Sequence, residues 1–125
     1  KLEEGDILLV RTGNYKMRLD SPPAKALEPM TACQVACTPL FKERGIAMLG
    51  TDTSNDFRPS HYSTIGSPLH TMCLVTLGLW LIDNANLEEL AVACAQRNRY
   101  EFMLTLAPLR LRNVTGSPVS PIALF

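Results

Sequence analysis

Short apolar runs alternating with helix-patterned segments constrain this chain more than any other feature. "DILLVRTG" closes on Gly13, "IAMLGTD" follows a helix stop at Gly45, and "LWLID" follows another at Gly78. Continuous apolar runs bounded by glycine suit strands of a sheet covered on both faces. Between them, "MTACQVACTPLFKERG" sets Cys33, Ala36, Cys37, Leu40 and Phe41 at helical spacing. Pro39 either opens a helix that starts at Thr38 or bends a longer one. "PLHTMCLVTL" suits a buried helix with Pro68 in its first turn. In "NANLEELAVACAQR", Asn86 and Glu89 form a capping-box pattern, and Leu87, Leu90, Ala91 and Cys94 share a buried face. "YEFMLTLAPLRL" reads as a fourth strand carrying Arg110 and Arg112 on one face at its end, and "IALF" as a short last strand. Strands in alternation with helices predict an α/β layer arrangement, mixed but mainly parallel, in one domain over 1–125.

Two segments read as loops. "NYKMRLDSPPAKALEP" is polar, and Pro22-Pro23 excludes regular structure, which predicts a surface loop. "TDTSNDFRPSHYSTIGSP" gathers Asp52, Thr53, Ser54, Asn55, Asp56, Arg58, Ser60 and His61, residues that bond backbone and water and favour a long ordered loop. Loops of this length inside a small domain are often functional. His61 and Tyr62 read as solvent-facing within it, and "RNVTGSPVSP" reads as a structural turn.

Composition removes several classes of function. Hydrophobic residues make up 46% and charged residues 19%, with twelve basic residues against twelve acidic. This is neither a disordered tail nor an electrostatic clamp for a phosphate backbone, so nucleic acid is not an expected partner. The longest apolar stretch is broken by His70 and Thr76 and stops at Asp83, too short and too polar for a bilayer span. There is no G-x-S-x-G elbow, no phosphate-binding P-loop and no G-x-G-x-x-G turn. Cys33, Cys37, Cys73 and Cys94 lack C-x-x-C spacing and read as small core residues, which fits a reducing, cytoplasmic setting. The Asn113-Val114-Thr115 triplet fits a glycosylation pattern that is common by chance. The opening "KLEEGDILLV" has neither an initiator methionine nor a signal-peptide pattern, and reads as the start of a fragment with polypeptide missing upstream.

Two residues stand out chemically. His70 leads the apolar run; a single histidine in such a helix is more often a packed residue than a ligand. Asp83 ends a predicted buried strand, where a carboxylate is costly to desolvate unless a cation, donor or water meets it, and it equally suits a cap on the next turn. The helix, glycine and strand between them fold back on themselves and can bring imidazole and carboxylate to one site. Such a pair supplies two metal ligands, whereas a catalytic metal needs about three and an open position.

The order of motifs adds to this. "GDILLVRTG", "LFKERGIAMLGTDTSND", "SPLHTMCLVTLGLWLIDNANLEELA" and "YEFMLTLAPLRLRNVTGSPVSPIALF" together resemble the C-terminal half of the cyclase family of metal-dependent hydrolases, which includes kynurenine formamidase and isatin hydrolase. The ending "APLRL…TGSPVSPIA" is the most specific part. The resemblance implies a swivelling β/β/α-type domain, truncated at its N-terminus. It also implies a divalent metal, zinc or manganese, that activates water against a cyclic amide, lactone or formamide as the small-molecule substrate. The family's H-x-G-T-H-x-D-x-P-x-H signature is not in this sequence; by the family pattern it belongs upstream of Lys1. The resemblance makes His70 and Asp83 ligands of a second metal, with the remaining donors outside this chain. Many members carry glutamate where Asp83 stands. It implies as partners the missing N-terminal segment and further copies in a homo-oligomer. A different expectation is a non-catalytic α/β interaction module derived from such an enzyme.

Overall fold

The computed structural model describes residues 1–21 and 30–125. They divide into two compact units, Lys1–Glu89 and Leu90–Phe125. The first unit is built on a three-stranded parallel sheet: β1 (Ile7–Val10), β2 (Met48–Thr51) and β3 (Trp80–Ile82), in the order β1-β2-β3. The register aligns Leu8, Leu49 and Leu81 across one face, and Leu9, Gly50 and Ile82 across the other. Parallel strands need crossover segments, and helices supply them here.

The first crossover holds α1 (Asn14–Asp20), where the sequence predicts a loop. Gly13, at φ 84°, turns the chain left-handed at the end of β1. The carboxylate of Asp52 then collects the backbone N–H groups of Gly13 and Tyr15, donors that the start of a helix leaves unpaired. A distant residue thus supplies the helix start that the local sequence lacks. The rest of that predicted loop, residues 22–29, lies outside the described residues. A short 3₁₀ turn (Val35–Cys37) runs into α2 (Thr38–Arg44), with Pro39 in its first turn and Gly45 at φ 62° ending it. Of the two readings of Pro39, the helix start is the one observed.

The second crossover is the polar loop after β2 followed by α3 (Pro68–His70), which continues as a wider π-helical segment (Thr71–Leu77) and ends on Gly78 at φ 65°. The core joins these elements. Phe41, Ile46, Leu49, Leu69, Cys73 and Leu79 are buried together, with Leu8, Val10, Leu81, Cys33 and Cys37 packed at the edge. β2 is buried throughout, as the apolar run predicts. β3 is an edge strand, and Trp80 is 58% exposed.

Helix α4 (Glu88–Arg97) begins where Asn86 Oδ1 accepts the Glu88 N–H at 3.1 Å, so Asn86 caps the helix as predicted, through Glu88 rather than through a box with Glu89. Leu87 and Cys94 are buried. In the second unit β4 (Met103–Thr105) pairs antiparallel with β5 (Ile122–Leu124). The fourth strand is much shorter than predicted. Arg110 and Arg112 lie beyond it in irregular, exposed chain, since the proline at 108 cannot donate to a ladder. Arg97 lies over the Phe125 ring at 4.8 Å, and Phe102 packs against the same ring. All four cysteines are free. Among the described residues, no helix is long and apolar enough to cross a membrane.

Candidate metal site at the sheet's carboxyl edge

In a parallel sheet every strand delivers its following loop to the same edge, which is where ligands bind in open α/β sheets. Here that edge receives Thr12 and Gly13 after β1, Asp52 after β2, and Asp83 with Asn84 after β3. The polar cluster between Thr51 and Asp56 is almost wholly buried: Asp52, Thr53 and Asn55 are 0% exposed and Asp56 is 1%. Buried polar groups at this density persist only if they are bonded to one another.

The bonds are specific. Asp52 accepts from the Thr12 N–H at 2.8 Å and its hydroxyl at 2.7 Å, and from the Gly13 N–H at 2.9 Å. Burial works to raise the pKa of this carboxyl, but the Thr12, Tyr15 and Gly13 donors outweigh burial and leave it lowered. Arg18 donates to Asn84 Oδ1 at 2.9 Å and to the Asp52 carbonyl at 3.2 Å, tying α1 to the loop after β3. Beside that loop, Arg11 pairs bidentately with Glu88 at 2.9 and 2.7 Å.

His70 and Asp83 do meet. His70 Nε2 lies 3.0 Å from Asp83 Oδ2, while His70 Nδ1 lies 2.5 Å from Asp56 Oδ2. Asp56 in turn accepts the Leu69 N–H at 2.7 Å, so it is anchored on the first turn of the helix that carries the histidine. Asn55 fixes Asp83 by donating to its Oδ1 at 2.7 Å and to the Ile82 carbonyl at 2.9 Å. The ring is thus clasped between two carboxylates of different exposure. Asp56 is sealed, and the Asp83 side chain is 38% exposed.

This arrangement raises the His70 pKa to about 9, through the hydrogen bond to Asp83 first, against burial, with Asp56 adding to it. Asp83 is lowered: burial would raise it, and the His70 and Asn55 hydrogen bonds outweigh burial. Without a metal the site is an ion pair, with an imidazolium held between two acids.

The donor chemistry fits a divalent cation in part. A ligating histidine characteristically presents one ring nitrogen to the metal and hands the other N–H to a carboxylate, and His70 has its carboxylate in Asp56. Nε2 and Asp83 Oδ2 then form one pair of facing donors, filling two positions. Among the described residues no group of three or more His, Cys, Asp or Glu side chains could hold an ion together.

The sequence singled out His70 and Asp83 but gave no role to Asp56 or Asn55, which appeared only as members of a polar loop. The available signal was the density of polar residues directly after a buried strand. His61 and Tyr62 are exposed, as expected, and His61 packs edge-on against Phe57 at 4.7 Å.

No protein-family model and no curated protein matches this chain. Among solved structures, it is similar to the crystal structure of a novel cyclase. That match is 35% identical with a TM-score of 0.88, and it covers 100% of this chain and 42% of the other. The chain therefore spans less than half the length of that protein. The likeness supports the cyclase family, and it bears out a mixed α/β arrangement with a parallel sheet.

Proposed function

We propose that this chain is the C-terminal part of a cyclase-family, metal-dependent hydrolase with a swivelling β/β/α-type fold, similar to kynurenine formamidase and isatin hydrolase, acting on a cyclic amide, lactone or formamide. The observation that carries the reading is the facing pair His70 Nε2 and Asp83 Oδ2, each fixed from behind by a buried neighbour. The likeness of the whole of this chain to part of a novel cyclase supports the same reading. His70 and Asp83 would hold the ion, zinc or manganese, with further donors from polypeptide outside this chain. Such an ion supplies Lewis-acid polarisation of a scissile carbonyl and activation of water.

The chain's own residues position the two donors. Asn55 keeps one oxygen of Asp83 occupied and turns the other toward His70. Asp56 holds the imidazole plane, and Asp52 with Arg18 braces the loops on either side. Pre-positioned donors of this kind reduce the ordering needed on binding. Association fits the second unit, whose β4–β5 ribbon exposes Met103, Ile122 and Leu124. A two-stranded ribbon is marginal in water by itself. A second copy in a homo-oligomer, or an N-terminal segment if one precedes this chain, would cover it.

The test is hydrolysis of formanilide, a cyclic imide and a lactone by the full native protein with added zinc or manganese. The reading expects metal-dependent hydrolysis of one class, lost on chelation and in His70→Ala. Activity retained in His70→Ala with unchanged metal content would assign His70 to packing. Absence of both metal binding and hydrolysis would favour a non-catalytic interaction module.

A further inference from the structure

A neutral imidazole carries one N–H, yet His70 has a carboxylate on each ring nitrogen. Only one of the two acids can accept that proton, and the two differ in what losing it costs. Asp56 is 1% exposed, and its Oδ2 is 2.5 Å from Nδ1. Were Nδ1 to carry a lone pair instead, two acceptors would abut with no water between them, and a buried carboxylate oxygen would keep only the long contact from the His70 backbone N–H at 3.4 Å. Asp56 is also unable to swing away, because its Oδ1 is held by the Leu69 N–H at 2.7 Å. Asp83 is farther off at 3.0 Å, is 38% exposed, and can replace a lost ring N–H with water.

We propose that Asp56 is a positioning residue that keeps the His70 proton on Nδ1, so that Nε2 presents its lone pair toward Asp83. This deepens the metal-site reading and rests on it for its functional meaning: only Nε2 with a free lone pair can ligate. Asp56 itself lies on the far edge of the ring and is not a ligand. Its substitution acts through His70.

Asp56→Asn separates this role from a structural one. The amide can still accept the Leu69 N–H with its oxygen, preserving the anchor on the helix. Its NH₂ group then faces Nδ1 and donates, which forces the ring proton to Nε2. The metal donor is blocked without removal of any ligand. Asp56→Glu keeps the acceptor, one methylene farther out.

The His70 ring nitrogen signals are assigned by their loss in His70→Gln, and His61→Gln, outside the site, serves as the control for the other histidine of this chain. Long-range proton–nitrogen spectra of the metal-free protein are recorded at about pH 10, above the raised His70 pKa of about 9. The wild type is expected as the Nδ1–H tautomer, Asp56→Asn as Nε2–H, and Asp56→Glu as Nδ1–H. Zinc titration of the full native protein is expected to show a loss of affinity of about 10–100-fold in Asp56→Asn. A wild-type Nε2–H tautomer overturns the proposal with no variant needed, and so does an unchanged tautomer in Asp56→Asn. A purely structural Asp56 would lower the melting temperature and leave the tautomer alone. Should the wild type bind no zinc at all, the hydrolase reading fails, while the tautomer spectrum still decides the role of Asp56.

Discussion

Asn55 donates to Asp83 Oδ1 at 2.7 Å, and this single bond decides which oxygen of Asp83 turns to His70. Asn55 is fully buried and adopts a left-handed φ of 59°, a conformation that asparagine tolerates better than most residues. Asn55→Ala loses both the donor and the backbone preference. It is expected to cost about 2 kcal/mol in urea unfolding and to weaken zinc binding in the same protein. A variant as stable as wild type, with unchanged zinc affinity, would remove Asn55 from the account.

Asp52 gathers the ends of β1 and α1 around one carboxylate. Asp52→Ala strips acceptors from two donors on Thr12 and from the N–H groups of Gly13 and Tyr15. The expected loss is about 2–4 kcal/mol by chemical denaturation. Its pKa is lowered in the fold, so its stabilising contribution is present above the ordinary value of 3.8 and disappears as pH falls through the folded value. Asp52→Asn should therefore flatten the acid limb of the stability profile. An acid limb as steep as the wild type's would contradict this.

His70 gives pH dependence of the opposite sign. In the metal-free protein its pKa is raised from 6.5 to about 9. The contribution of the clasped imidazolium is complete below the unfolded value and is lost as pH rises toward 9. Melting temperature measured across that window should fall in the wild type more than in His70→Gln. Zinc must displace the same proton, so apparent zinc affinity should rise over the window in which metal-free stability falls. Parallel trends in the two quantities would be inconsistent with one shared proton.

Gly50 tests the sheet that carries the site. A Cβ there would stand 2.6 Å from Leu9 Cδ2 and 3.3 Å from Ile82 Cβ, its partners in register on both sides. Leu9 can swing its terminal methyl aside, but the branched stem of Ile82 cannot. Gly50→Val is expected to destabilise by about 1–3 kcal/mol in thermal or urea unfolding, and a neutral effect would argue against this register.

Much of this architecture is visible in the sequence because it is local. Gly45 and Gly78 stop their helices, Pro68 opens one, and the run from Ile46 to Gly50 has no hydrophilic residue to place outward. Helix α1 is not visible, because its start depends on a carboxylate from the end of β2. The strand in "YEFMLTLAPLRL" is shorter than its sequence predicts for a related reason: strand length is set by a pairing partner, and β5 pairs with three residues. The pairing of His70 with Asp83 follows from a helix and a strand that fold back in sequence order. Asp56 was hidden in a loop whose polar residues all look alike until the fold buries some and exposes others.

The central claim is that His70 and Asp83 act as two ligands of one divalent ion. Zinc and manganese content and affinity of the full native protein, compared in wild type, His70→Ala and Asp83→Ala, test it most directly. The account predicts bound metal in the wild type and a drop in affinity of at least about 10-fold in each variant, with the fold intact. Equal metal content and affinity in all three proteins would contradict it.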